Sequence, residues 1–207
     1  MHNRRSTRFT LDDNGHVREA AQVPSPNFDD RPKEAVISLV VLHNISLPPK
    51  KFSGNAILRF FTNRLNINAH PYFSTLDNMR VSAHFLIRRQ GELIQLVSCT
   101  QRAWHAGVSQ WRGRPRCNDF SIGIELEGAD DIPYRKAQYR TLNALLSALA
   151  RAYPITDIVG HSMVAPERKT DPGTAFDWRR IARAYLPKRV TVHAEIPSDT
   201  KAVTDRG

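Results

Sequence analysis

The chain has 207 residues, 41% of them apolar, which suits one globular domain with a real core and short tails. Its formal charge of +10 favours anionic partners, either nucleic acid or a small polycarboxylate, with a solvated basic surface as the plain alternative. No apolar run approaches the roughly 20 residues of a membrane-spanning helix, and two cysteines, Cys99 and Cys117, are too few for a disulfide framework or a thiolate metal cluster.

Residues 1–21 are polar and aperiodic and read as an N-terminal tail. Arg4 and Arg5 have no hydrophobic stretch behind them, and Asp12, Asp13 and Asn14 lie where one should be, so no export signal is expected and a cytoplasmic location is. Val36–Leu42 is short, continuous and β-branched, the mark of a buried strand, and it delivers His43 into a polar loop. Ala56, Ile57, Phe60, Phe61 and Leu65 recur at helical spacing, which predicts a short amphipathic helix over 55–65.

Val81–Arg88 and Glu92–Val97 flank RQG and predict a hairpin turned at Gly91. In 120–126 the apolar Ile122, Ile124 and Leu126 alternate with Ser121, Gly123 and Glu125, so the strand carries a carboxylate on the face opposite its apolar side. Glu127 falls on that same face, and alternation does not choose between the two. Pro133 opens a longer helix with a stripe of Leu142, Leu145, Leu146, Leu149 and Tyr153, closed by Pro154. A last strand, Ile155–Val159, ends at Gly160 and His161, and residues 188–207 read as a second polar tail. Strand-like and helix-like pieces thus alternate along the chain, with no internal repeat.

Two strand-end histidines, with Asp171 ten positions after the second, form a candidate His, His, Asp set. Neutral imidazoles and a carboxylate are ligands that zinc accepts, and a catalytic zinc keeps three protein ligands and an open fourth position. Taken singly, each histidine is more often a hydrogen-bonding structural residue. His84 within SAHFLI and His105 after Trp104 read as structural or groove residues, and His70 before Pro71 as a turn residue.

The blocks VVLHNISLPP, HPYF, RVSAHFLIRRQGELIQ, RAWHAGVSQWRGRPRCNDFSIGIELEG and GHSMVAPERKTDPGTAFDW occur in order. Together they make the stretch from about Val23 to Trp178 resemble the anhydromuramyl-L-alanine amidases of bacterial cell-wall recycling, which share their core with phage amidases and peptidoglycan recognition proteins. The resemblance implies a mixed α/β fold, a central mixed sheet flanked by helices, in a zinc amidase domain over 22–187, with one zinc per chain and His43, His161 and Asp171 as its ligands. It implies hydrolysis of the amide between anhydro-N-acetylmuramic acid and L-alanine, and it singles out Glu125 as general base and Lys169 as the cation that stabilises the oxyanion.

It also suggests Asn44, Arg80, Trp104 and Arg116 for the sugar and peptide groove, since arginines pair with carboxylates and an indole packs on a sugar face. An anhydromuropeptide is the expected partner, with no nucleic acid, no membrane and a monomeric state. Loss of such an enzyme would let anhydromuropeptides build up, which in some bacteria induces a β-lactamase. The rival readings are an amidase of intact peptidoglycan, a peptidoglycan-binding module without catalysis, and a nucleic-acid binder supported only by charge. Met163, Thr174 and Lys50 stand where the resembled family usually has aspartate, proline and glycine. Loss of a carboxylate near His161 predicts a lowered metal affinity.

Overall fold

Continuous apolar runs build the middle of a seven-stranded mixed sheet in the computed structural model, which describes residues 8–194. The strands in chain order are β1 (Ala21–Gln22), β2 (Phe28–Asp30), β3 (Leu39–Ile45), β4 (Phe85–Ile87), β5 (Leu93–Gln95), β6 (Gln101–Ala103), β7 (Gln110–Trp111), β8 (Arg114–Pro115), β9 (Ser121–Glu127), β10 (Asp157–Gly160) and β11 (Thr191–Val192). The α-helices are α1 (Ala56–Phe61), α2 (Lys136–Ala152) and the short α3 (His161–Val164). The main sheet runs β1, β5, β4, β9, β3, β10, β11; only the β4/β5 hairpin is antiparallel, and β2/β6 and β7/β8 form separate ribbons.

The central pair explains the alternation in the sequence. In β9, Ile122, Ile124 and Leu126 join Val40 and Leu42 of β3 in one core with Leu142, Leu145, Leu146 and Leu149 of α2. On the opposite face Leu39, Val41 and Val159 pack against Cys117, Phe120 and Val164. That face also carries the polar residues of β9. Gln138 Oε1 accepts from the Arg135 backbone N–H at 3.0 Å, so α2 starts at Lys136, three residues beyond the expected opening at Pro133.

Two further boundaries moved for identifiable reasons. The first central strand starts and ends about three residues later than its apolar run, because β9 pairs with β3 as far as Ile45↔Glu127. His43 therefore lies inside a strand, directly beside Glu125, and not in a loop after it. The helix expected over 55–65 closes at Phe61, where the Thr62 hydroxyl bonds the Leu58 carbonyl at 2.7 Å and Asn63 turns left-handed.

The tail expectation fails for the described part of both ends. Phe9 and Val17 are buried in the main core, Leu11 bridges Val17, and β1 extends the sheet beside β5. Thr191–Val192 pairs in parallel with β10, and His193 Nε2 sits 2.8 Å from Asp157 Oδ1. Single apolar residues spaced through polar sequence give no periodic signal; the surface they pack on is supplied by distant elements. Residues 1–7 and 195–207, the rest of both expected tails, lie outside the described residues. No described helix is long and apolar enough to cross a membrane. Cys99 and Cys117 are buried and unpaired, and burial pushes the Cys99 thiol up to about 12.

Candidate metal centre

Three elements bring His43, His161 and Asp171 to one edge of the sheet. β3 carries His43, β10 ends in Gly160 and hands His161 to the first position of α3, and the loop after α3 returns Asp171. Their inward atoms form a near-equilateral triangle: His43 Nδ1 to His161 Nδ1 is 3.0 Å, and Asp171 Oδ2 is 3.1 Å from each. Zinc with bonds of 2.0–2.2 Å in a tetrahedron separates its ligand atoms by about 3.3 Å. The triangle is the size such an ion needs, and the donor set is one that can hold a metal.

The protonation states suit a cation as well. Burial, then the nearby His161, depresses His43 to about 4, so its imidazole is neutral near pH 7. Burial pushes the Asp171 carboxyl up, but the two histidines outweigh it and hold the group well below the usual carboxylate range. His161 Nε2 lies 3.3 Å from the Ala106 carbonyl oxygen, which can only accept, so its proton is on the outer nitrogen and Nδ1 presents a lone pair inward. Acceptors facing one another at 3.0–3.1 Å call for a positive charge between them.

Glu125 stands beside His43 in the β9/β3 register and on the same face. It is 9% exposed, and its Oε2 has no hydrogen-bond partner among the described residues. Burial first, then the charge of Asp171, raises its carboxyl well above the usual range, with Lys169 acting the other way. A buried carboxylate of raised basicity with a free oxygen is suited to taking a proton. Glu127 is occupied differently: its Oε2 accepts the Arg89 backbone N–H at 3.0 Å. The structure thus separates two glutamates that alternation left equivalent. Lys169 is exposed, and its charge is felt at both His43 and Glu125.

The four groove residues are less gathered. Asn44 turns its amide to Asp130 Oδ1 at 2.7 Å and to the Pro172 carbonyl at 3.1 Å, so it braces the loop that holds Asp171. Trp104 donates its indole N–H to Asp29 at 3.2 Å. Arg116 is exposed and paired with Asp119, and the exposed Arg80 bonds the Met79 carbonyl. Asp130, which sequence reading passed over, organises this side. It accepts from Asn44 and Thr170, and a Cβ on Gly173 would come within 2.1 Å of its Cα, so the ligand loop lies flush against it. No motif signal marks Asp130; it acts through contacts between distant segments.

The unusual residues are accommodated. Met163 is half-buried against both faces' cores, and Thr174 faces the Asp130 carbonyl at 3.5 Å. Lys50 has φ +62°, the left-handed region where glycine is favoured, and pairs with Asp131. His70 caps the 3-10 turn from Pro71, accepting the Tyr72 N–H, and buried His84 accepts the Gly123 N–H at 3.0 Å, both structural roles.

A parallel-centred sheet with two histidines and an aspartate converging beside a buried carboxylate is an arrangement that could hold a metal ion and serve a hydrolase. Comparison with known proteins narrows the class. The profile of the N-acetylmuramoyl-L-alanine amidase family matches residues 32–174, and the chain belongs to that family. The 1,6-anhydro-N-acetylmuramyl-L-alanine amidase AmpD of Citrobacter freundii is 54% identical over 177 residues, 84% of this chain and 95% of that protein. A crystal structure of a Se-Met AmpD derivative superposes with a TM-score of 0.82 at 55% identity, covering 86% of this chain and 99% of that one. The amidase AmiD from E. coli, in complex with the substrate anhydro-N-acetylmuramic acid-L-Ala-D-gamma-Glu-L-Lys, matches at 28% identity and a TM-score of 0.52, covering 85% of this chain and 65% of that one.

Proposed function

We propose that this amidase hydrolyses the bond between the lactyl group of 1,6-anhydro-N-acetylmuramic acid and L-alanine in anhydromuropeptides, in the cytoplasmic recycling of peptidoglycan, as a monomer with one zinc. The observation that carries the reading is the triangle of His43, His161 and Asp171 beside the unpaired oxygen of Glu125. It occurs in a chain that spans 95% of a relative named for that substrate.

His43 Nδ1, His161 Nδ1 and Asp171 Oδ2 would hold the zinc, which supplies a Lewis acid for the scissile carbonyl and for the attacking water. Glu125 Oε2 accepts a proton from that water and returns it to the departing alanine nitrogen. The Lys169 ammonium offsets the negative charge that grows on the carbonyl oxygen during attack. Exposed Arg80 would pair with peptide carboxylates, as would Arg116 on leaving Asp119, and the Trp104 indole would pack on the sugar face, while Asn44 braces the loop that carries Asp171. The products are a peptide with a free alanine amine and a sugar with a new lactyl carboxylate.

The test is chromatographic: zinc-loaded and chelated protein incubated separately with an anhydromuramyl tripeptide and with intact sacculi. Zinc-dependent release of peptide from the small substrate is expected. Release from sacculi alone would move the activity to intact peptidoglycan, and release from neither would leave a binding module.

A further inference from the structure

Both metal histidines lean on one dipeptide. His105 Nδ1 lies 2.9 Å from His43 Nε2, and the carbonyl of the next residue, Ala106, faces His161 Nε2. A single atom holds that dipeptide: Asn118 Oδ1 accepts the His105 N–H at 3.2 Å and the Ala106 N–H at 2.8 Å. Arg168 closes the outer side, donating to the Ala106 carbonyl at 2.9 Å and to that of Val108 at 2.6 Å. Beneath, the ring rests on Gly123, where a Cβ would come within 2.4 Å of it, and His105 Nε2 faces Ser121 Oγ at 3.2 Å. Both ring nitrogens of His105 are thus engaged away from the triangle, so it is not a ligand.

The two supports differ in chemistry. A carbonyl can only accept, which fixes the tautomer of His161 outright. His43 has no carbonyl behind it; its tautomer follows that of His105, and His105 ends on a hydroxyl that donates or accepts. When His43 Nε2–H donates to His105 Nδ1 and His105 Nε2–H donates to Ser121 Oγ, every link is satisfied and His43 Nδ1 is bare toward the triangle. The reverse direction would put a proton on the inward nitrogen.

We propose that His105 is a positioning residue of the metal centre, holding His43 in its metal-binding tautomer through the chain His43, His105, Ser121, while Asn118 keeps that support in register with the one behind His161. The inference rests on the zinc-site reading above. Outer partners of ligating histidines change metal affinity by about 10- to 100-fold when removed.

The test is competition with a chromophoric zinc chelator, run on the full chain for wild type, His105→Leu, His105→Asn and Asn118→Ala. His105→Leu fills the space without an acceptor and should weaken zinc binding by about 10- to 100-fold. His105→Asn places an oxygen near the position of Nδ1 and should recover most of the loss, and Asn118→Ala should weaken binding while removing no group that touches a ligand. Long-range proton–nitrogen NMR of the zinc-loaded wild type should find His105 protonated on Nε2, a readout independent of how any variant folds. Wild-type affinity in His105→Leu, equal losses in the Leu and Asn variants, or a proton on His105 Nδ1 would overturn the proposal. Failure of the wild type itself to bind zinc would instead end the zinc reading.

Discussion

Replacing Glu125 by glutamine should separate activity from stability, moving them in opposite directions. The carboxylate is buried with one oxygen unpaired, and its basicity is raised by burial and then by Asp171. Glutamine keeps the shape and loses the proton acceptor, so kcat should fall by about 10²- to 10⁴-fold. Glutamine leaves a polar atom unpaired at the same place but without the charge, and burying an unpaired group costs on the order of 1–3 kcal/mol, more when it is charged, so where the carboxylate is ionised the metal-free variant should be more stable by on the order of 1 kcal/mol. For a chain of this size that is a Tm rise of roughly 2–4 °C per kcal/mol.

The pH dependence fixes the sign. A carboxyl whose folded pKa lies above its unfolded value of about 4.3 contributes stability below that value and loses it as pH rises through the folded pKa. The advantage of Glu125→Gln should therefore be absent near pH 4, a value set by that unfolded glutamate, and complete above the raised folded pKa. Circular-dichroism melts of zinc-free wild type and variant across pH, with steady-state rates of the zinc-loaded pair, check both halves. A variant that is active, or no more stable at neutral pH, or whose advantage does not depend on pH, would refute the reasoning. Glu127→Gln is the control, since Glu127 already accepts from the Arg89 backbone, and its rate should stay within a few-fold of wild type.

Lys169→Met should lower kcat by about 10²- to 10³-fold, the usual loss of one oxyanion partner, while exposed Lys169 leaves the unfolding free energy within about 0.5 kcal/mol in urea melts. Arg31, which burial lowers to about 10, donates to the carbonyls of Cys99, Asn118, Asp119 and Ser121, and Arg31→Leu should destabilise by about 3 kcal/mol through those unpaired acceptors, read from urea unfolding. Chelation should lower Tm; zinc free at about 1,000 times its Kd stabilises by about 4 kcal/mol, and a melting point indifferent to zinc would contradict a site at the triangle.

The parts of the molecule legible in the sequence are those where chemistry and periodicity are local. The leucine stripe of α2 and the alternation of β9 name their own faces. What stayed hidden depends on pairing between distant segments. The neighbourhood of His43 and Glu125 is a register between strands about eighty residues apart, and no run of apolar residues states a register. Phe9 and Val17 look like strays in a polar segment because the surface that buries them lies elsewhere. His105 reads as a structural or groove histidine from its surroundings in the chain, and its place behind His43 follows only once Gly123 of β9 leaves room for the ring.

The most direct measurement is hydrolysis of an anhydromuramyl tripeptide in ¹⁸O-water by the zinc-loaded chain, with the products weighed by mass spectrometry. The account predicts one ¹⁸O in the new lactyl carboxylate, none in a peptide released with its alanine amine free, and no products after chelation. Label in the peptide, cleavage at another bond, or turnover undiminished by chelation would contradict it.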